Sequence, residues 1–357
     1  MRYSGSTMSQ PQPLQALDPV RFTIDLCKIE STTYNEGAAG VFLYDYLARQ
    51  GYTVEKMQVP QPLSNAAGTG ERFNVYAAMS GVTPDVVFST HMDTVPPYFG
   101  FTEDDEYMYG RGTCDAKGIM AAQIAAAEQL REMGMKVGLL FVVGEERDSA
   151  GAIIANMTPK GSKFLINGEP TDNKLALASK GALRVEVRTK GKMAHSAYPE
   201  LGESAIDKLV HALKDLLALP LPSEPEIGDT TLNIGVIEGG RAPNVVPDKA
   251  EALLLVRTVG PSAGVRESII RTVGDRGDVH FSLDQPFVRM RKIDGLETMI
   301  AKFSTDIPSL TNWGEPLLLG PGSIHVAHTN NERLAKQELR DAIKLYVEVA
   351  TKLIDSL

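Results

Sequence analysis

Residues 137–143, VGLLFVV, constrain the fold more than any other stretch of this chain. Seven consecutive apolar residues leave no polar face for solvent. A strand of that kind is buried on both sides, and such strands lie inside sheets covered by helices. The run ends in Gly144 and two adjacent carboxylates, Glu145 and Glu146. Ligands of open α/β sheets bind outside the carboxyl ends of the strands, so the doubled acid stands where a ligand would be met.

The flanking sequence fits the same architecture. DVVFSTHMD (residues 85–93) reads as a second buried strand, with FNVYAAM and YTVEKMQV as shorter ones. DAKGIMAAQIAAAEQLREMG is rich in strong helix formers, carries Ile119, Ile124, Ala127 and Leu130 near one face, and stops at Gly134. Residues 19–50 read as helix ending at Gly51, and a short helix at AGAIIANM precedes the strand KFLING. Strands alternating with helices predict an α/β fold around a mostly parallel central sheet.

Near residue 180 the pattern changes. SKGALRVEVRTKG alternates as a half-exposed antiparallel strand does. An amphipathic helix (LGESAIDKLVHALKDLLAL), two strands (TTLNIGVIEGG, KAEALLLVRTV), a helix (GVRESIIRTVGD) and a strand (VHFSLD) follow, in the β-α-β-β-α-β order of a ferredoxin-like α+β domain. From about 288 the chain is expected to return to helix, the strand PLLLG and a long final helix. The expected organisation is an α/β domain at 19–179 and 287–357, interrupted by an α+β insert at 180–286. Residues 1–18, polar and proline-containing, are expected to form a disordered extension.

Composition narrows the functional classes. A net charge of −9 without clustered Lys and Arg argues against a nucleic-acid partner. No apolar run approaches the ~20 residues of a membrane-spanning helix, and the N-terminus has no apolar segment of a secretory signal. Two cysteines, Cys27 and Cys114, are too few for a disulfide framework or a Cys-ligated zinc site. A cytoplasmic protein without a membrane partner is expected.

The residues able to carry chemistry gather at predicted strand ends and loops. These are His91 and Asp93, Asp115, Glu145 and Glu146, Glu169, and late in the chain His325 and His328. Singly each has a plain structural explanation: an Asp before a helix caps it, and paired Glu residues are usually solvated. Together at one sheet edge they would repel and desolvate one another unless a cation lies among them. Two histidines with three carboxylates supply one bridging and two terminal positions of a paired-metal site. His91 and Asp93, two apart on a strand, face one side, which suits a histidine oriented by a carboxylate. Glu145 and Glu146 point in different directions, so one can hold metal while the other moves a proton.

Seven motifs occur in the order of a known family: STHMDTVPP, GRGTCDAKG, GEERDSAGA, NGEP, KMAHSAYPELGESA, GGRAPNVVPDKA and GPGSIHVAHTNNE. By these the chain resembles the co-catalytic zinc metallopeptidases and deacylases, which include acetylornithine deacetylase, succinyl-diaminopimelate desuccinylase, aminoacylase-1 and carboxypeptidase G. The resemblance covers nearly all of the chain after residue 20. It implies a metal-binding α/β domain with a ferredoxin-like lid that dimerises. It implies Asp115 as bridging ligand, His91 and Glu169 completing one metal position, Glu146 and His328 the other. Glu145 would be the general base, with Asp93 orienting His91 and a cis peptide after Asp115. The motif selects His328 over His325, and leaves Cys114 as a packing residue. In the lid, His195 would stabilise the oxyanion in the partner subunit's active site. Asn244, Arg257 and the backbone of Gly322 would contact substrate.

Two divalent ions are implied, zinc above all, with cobalt or manganese as alternatives. The C-terminal signature LLLGPGSIHVAHTNNE looks closest to acetylornithine deacetylases, which makes N-acetyl-L-ornithine, split to ornithine and acetate in arginine biosynthesis, the first substrate expected. A succinyl-diaminopimelate desuccinylase-like deacylase, or a metallo-dipeptidase or carboxypeptidase, is the alternative. Either way the partner is a small N-acyl amino acid or dipeptide, handled by a homodimer.

Overall fold

The computed structural model describes residues 17–61 and 70–357. Of the expected 1–18 extension, residues 1–16 lie outside the described residues, while Asp18 already belongs to the fold. Its Oδ1 accepts from the N–H groups of Val20 (3.0 Å) and Arg21 (3.2 Å), capping the first helix, which begins with Pro19.

The chain forms two compact units, Met1–Lys163 with Pro321–Leu357, and Phe164–Gly320. The first unit opens with α1 (Pro19–Cys27), α2 (Gly37–Arg49), β1 (Thr53–Gln58), β2 (Phe73–Ala78) and β3 (Val86–His91). It continues with β4 (Thr102–Glu103), β5 (Tyr107–Tyr109), α3 (Gly118–Glu132), β6 (Val137–Val142) and α4 (Ala150–Met157). The second unit holds β7 (Phe164–Asn167), β8 (Leu175–Ser179), β9 (Ala182–Lys190), α5 (Ala205–Leu217), β10 (Ser223–Glu224) and β11 (Gly228–Asp229). Then come β12 (Thr231–Gly239), β13 (Lys249–Arg257), α6 (Ala263–Val273), β14 (Asp278–Gln285), β15 (Val288–Arg289), β16 (Thr298–Ala301) and β17 (Glu315–Leu318). The chain closes in the first unit with β18 (Arg333–Ala335) and α7 (Lys336–Asp355).

In the first unit the strands lie in the order β1-β2-β6-β3. Every residue of β3 and β6 is buried, as the unbroken apolar run of β6 requires; in β3 the burial extends to the polar Ser89, Thr90 and His91. The helical crossover α3 makes β3 and β6 parallel, whereas β1, β2 and β6 pair antiparallel. Strand pairing is therefore mixed, with parallel pairs at β3–β6 and, in the second unit, β7–β17. Helix α3 is buried over nearly its whole circumference from Gly118 to Ala127, packed by α1 and α7. That is why its sequence carries so many alanines in place of a single apolar stripe.

The segment expected as the lid is a four-stranded antiparallel sheet, ordered β12-β13-β9-β14. Its inward residues, among them Val185, Val187, Leu254 and Val256, form one core with Leu209 and Leu213 of α5 and Ile269 of α6. The expected helix just after 288 is not observed. Thr298–Ala301 instead pairs as a parallel strand with β8, and only a single 3-10 turn, Ile307–Ser309, follows. The helix-like spacing of Leu296, Met299, Ile300 and Phe303 is overridden by the neighbouring strand.

Candidate metal centre

His91 is the last residue of β3 and is 1% exposed. Its Nδ1 lies 2.9 Å from the Asp93 carbonyl oxygen. A carbonyl only accepts, so Nδ1 carries a proton, and Nε2 is left to face Asp115, as a second N–H in the metal-free protein or as a lone pair where a cation lies between them. That Nε2 stands 2.9 Å from Asp115 Oδ1.

Asp93 faces the His91 ring with both its carbonyl oxygen, 2.9 Å from Nδ1, and its carboxylate, whose Oδ1 is 3.6 Å from Nδ1. The carboxylate also gathers the loop that follows β6. Oδ1 accepts from the N–H groups of Gly144 (2.9 Å) and Glu145 (3.1 Å), and Oδ2 from Glu146 (3.2 Å) and the Thr33 hydroxyl (2.8 Å). Three successive N–H groups on one buried carboxylate form an anion nest. Burial works against ionisation of Asp93, but these bonds and His91 outweigh it and hold the carboxyl below its ordinary range. Gly144 makes the turn at φ +82, and a Cβ there would lie 2.6 Å from Asp148 Oδ1 and 2.7 Å from Arg72 Nη2. The doubled acid is thus presented by a glycine turn and anchored from the neighbouring strand.

Asp115 lies in an irregular turn, residues 113–117, ahead of α3, and the Asp115–Ala116 peptide is cis. It does not cap α3, whose N-cap position is Lys117. Its two oxygens face different imidazoles, Oδ1 that of His91 and Oδ2 that of His328, with His328 Nε2 at 3.2 Å. The same His328 Nε2 is 3.0 Å from the Glu146 carboxylate. His328 sits at φ +62, a left-handed backbone that costs a non-glycine residue about 1–2 kcal/mol. Asp115, Glu146 and His328 each offer a ligand atom, all within 4.8 Å of one another.

The charges at this cluster are mutually dependent. Burial disfavours ionised Asp115, yet hydrogen bonds from His328 and His91 hold its carboxyl well below the usual range. Burial pushes Glu146 up. Bonds to Asp115 and Glu146 push His328 to about 10. Carboxylate oxygens set against imidazole nitrogens at about 3 Å require a proton or a cation between them. The hard oxygen and nitrogen donors fit a divalent first-row ion.

The other expected residues fall as follows. Glu169 stands in the second unit, two residues beyond β7, and is 4% exposed. His195 and Asn244 lie on adjoining lid loops, joined by the bridge His195–Val245 and the bond from Ser196 N–H to the Asn244 carbonyl (3.0 Å). His195 Nδ1 accepts from the Ala197 N–H at 3.1 Å, so in the neutral ring the proton sits on Nε2. Arg257 ends β13, half-buried, with its Nη1 3.4 Å from Ser304 Oγ; burial pulls its guanidinium below the ordinary value.

The Gly322 N–H donates to Glu338 Oε1 at 2.7 Å, and at φ +85 its missing Cβ makes room for Cys114 Sγ. Cys114 packs there, buried. His325 is exposed on the His328 loop and takes no part in the Asp115–Glu146–His328 group. Sequence reasoning passed over Arg111 and Glu332, which form a buried ion pair against the Asp115 loop. Both stand inside quoted motifs, and an Arg facing a Glu of opposite charge was the available signal.

A model of the peptidase dimerisation domain matches residues 177–273. A probable carboxypeptidase of Aspergillus fumigatus is 37% identical, over 94% of this chain and 86% of its own length. A Staphylococcus aureus tripeptidase structure superposes with a TM-score of 0.77 at 22% identity, covering 94% of this chain and 97% of that one. An M20 family metallo-carboxypeptidase structure from Sulfolobus solfataricus does so with 0.72 at 17%, covering 93% and 98%. At these identities the two structures attest the fold: a mixed α/β domain accompanied by an α+β dimerisation domain.

Proposed function

The chain belongs to the M20 peptidase family, and on that footing we propose that it is a metal-dependent peptidase of the carboxypeptidase type, cleaving the amide bond before a free C-terminal carboxylate. The observation that carries the metal dependence is the division of Asp115 between two imidazoles, Oδ1 toward His91 and Oδ2 toward His328. A carboxylate so placed fits a bridge between two cations. His91, Asp115 and Glu169 would hold one ion, and Asp115, Glu146 and His328 the other, with zinc as the first choice and cobalt or manganese as alternatives. The ions would supply Lewis-acid polarisation of the scissile carbonyl and a water acidic enough to react at neutral pH.

The side chains do the rest. Glu145, its backbone anchored on Asp93, takes the proton of the attacking water and returns it to the departing amine. His195, with Nδ1 committed to Ala197, directs Nε2–H at the carbonyl oxygen as negative charge grows there, in the active site of the partner subunit. Arg257 is the carboxylate-binding group. Its only side-chain bond among the described residues is the 3.4 Å contact to Ser304, which leaves a guanidinium fork for a bidentate anion. Asn244, on the loop joined to that of His195, holds the substrate amide.

The naming of relatives as probable carboxypeptidases supports the peptide reading ahead of N-acetyl-L-ornithine, which obeys the same chemistry and also ends in a carboxylate. The test is amino-acid release from a panel of N-acyl amino acids, dipeptides and tripeptides, each with a free and an amidated C-terminus. The expected result is cleavage of the free acids, led by peptides, and at least about tenfold loss with the amides, the worth of one charge-assisted contact. Equal cleavage of amides would remove Arg257 from the proposed role. Cleavage confined to N-acetylornithine would replace the carboxypeptidase reading by a deacetylase.

A further inference from the structure

Glu332 is 1% exposed, yet it is surrounded by donors from a single loop. Its Oε1 accepts from the N–H groups of Gly112 (2.9 Å), Cys114 (3.2 Å) and Asp115 (3.1 Å). Its Oε2 meets Arg111 Nη1 at 2.5 Å, and its own carbonyl accepts from Gly110 N–H at 3.1 Å. Arg111 is also closed off from water, 2% exposed, with its guanidinium 4.9 Å from the Phe99 ring centroid.

This arrangement is electrostatically expensive for a mere filler. Burial pushes the Glu332 carboxyl up, and the nearby charge of Asp115 adds to it. Gly112 at φ +87 and the kinked backbone at Asp115 turn the loop's N–H groups inward, where they would be orphaned without an acceptor. The bond from Asp115's own N–H fixes the root of the side chain whose two oxygens diverge toward His91 and His328.

We propose that Glu332, neutralised by Arg111, is a positioning residue that sets how the Asp115 carboxylate is spread between the two metal positions. This inference rests on the metal-dependent reading above.

The test titrates metal-stripped wild type, Glu332→Gln and Arg111→Met with Zn²⁺ against a chromophoric chelator, and records the visible absorption of the Co²⁺-loaded proteins. Gln can keep an acceptor oxygen for the three N–H groups but sets an amide NH₂ against the Arg111 donors. Arg111→Met leaves the cradle of N–H groups in place and removes the counter-charge, together with the Nε bond to the Pro97 carbonyl and the contact with Phe99, so it carries the test if Glu332→Gln fails to fold. The expected result is metal binding weakened about 10–100-fold with altered Co²⁺ bands, the usual cost of losing a group that orients a ligand. A folded variant with wild-type Zn²⁺ affinity and an unchanged Co²⁺ spectrum would overturn the inference, leaving Glu332 a loop cap, while the metal reading stands. A wild type that binds neither ion would sink the metal reading and this inference with it.

Discussion

At Asp115, two oxygens of one side chain meet two histidines brought from opposite ends of the chain, His91 and His328. The consequence for metal loading is a proton. Bonds to Asp115 and Glu146 push His328 up to about 10, which favours the imidazolium at neutral pH in the metal-free protein. A folded-state pKa raised above the unfolded value stabilises the metal-free fold below about pH 6.5, and that contribution is lost as pH rises through about 10. An ion needs the neutral ring, so loading at pH 7 must expel that proton. Apparent Zn²⁺ affinity measured by chelator competition should therefore climb about tenfold per pH unit between roughly pH 6.5 and 8 for this one proton. A flat profile over that range would contradict the assigned environment of His328. The residue types at the cluster were legible in sequence because hard donors recur after strand ends. What the carboxylates of Asp93 and Glu332 hold was not legible. Their partners are backbone N–H groups, which every residue carries, and only the tertiary path of the loops decides which of them converge.

Among elements, the strand β6 and the turn after it explain the doubled acid. β6 is buried on both faces and Gly144 reverses the chain at φ +82, so the next two residues emerge at the strand's carboxyl end. Gly144→Ala should cost about 1–2 kcal/mol for the left-handed backbone alone, and more because its Cβ would press on Arg72, held by the buried Glu36. Gly134→Ala, at φ +78 with nothing within 4 Å, should show only the backbone part. Denaturant midpoints of the two variants give the comparison; equal losses would show that the Gly144 turn is not sterically confined. Buried and half-exposed strands were readable from period alone, since VGLLFVV has none and ALRVEVRTK alternates. The strand at Thr298–Ala301 was not, because its spacing is helical and its conformation is imposed by pairing with β8. The antiparallel β1–β2 pair was equally hidden, since strand direction follows connection geometry more than composition.

For the whole molecule, the α+β segment matching a peptidase dimerisation domain makes the proposed placement of His195 a question about two subunits. If His195 serves its partner's active site, Glu145→Gln and His195→Ala proteins, each inactive alone, should complement when mixed and allowed to exchange subunits. In a two-fold dimer, half of the molecules would be mixed and one of their two sites intact, giving about a quarter of wild-type activity. No recovery in verified mixed dimers would return His195 to its own subunit or to the surface.

The most direct measurement strips the protein of metal and follows amino-acid release from an N-acyl dipeptide as Zn²⁺ is added back, with Glu145→Gln alongside. No hydrolysis is expected without metal, and activity should rise and level off at two equivalents. The variant should still bind two ions but turn over about 10²–10⁴-fold more slowly, as loss of a general base entails. Full activity in the stripped protein, or a wild type holding two ions that cleaves no member of the peptide and acyl-amino-acid panel, would contradict the proposed function.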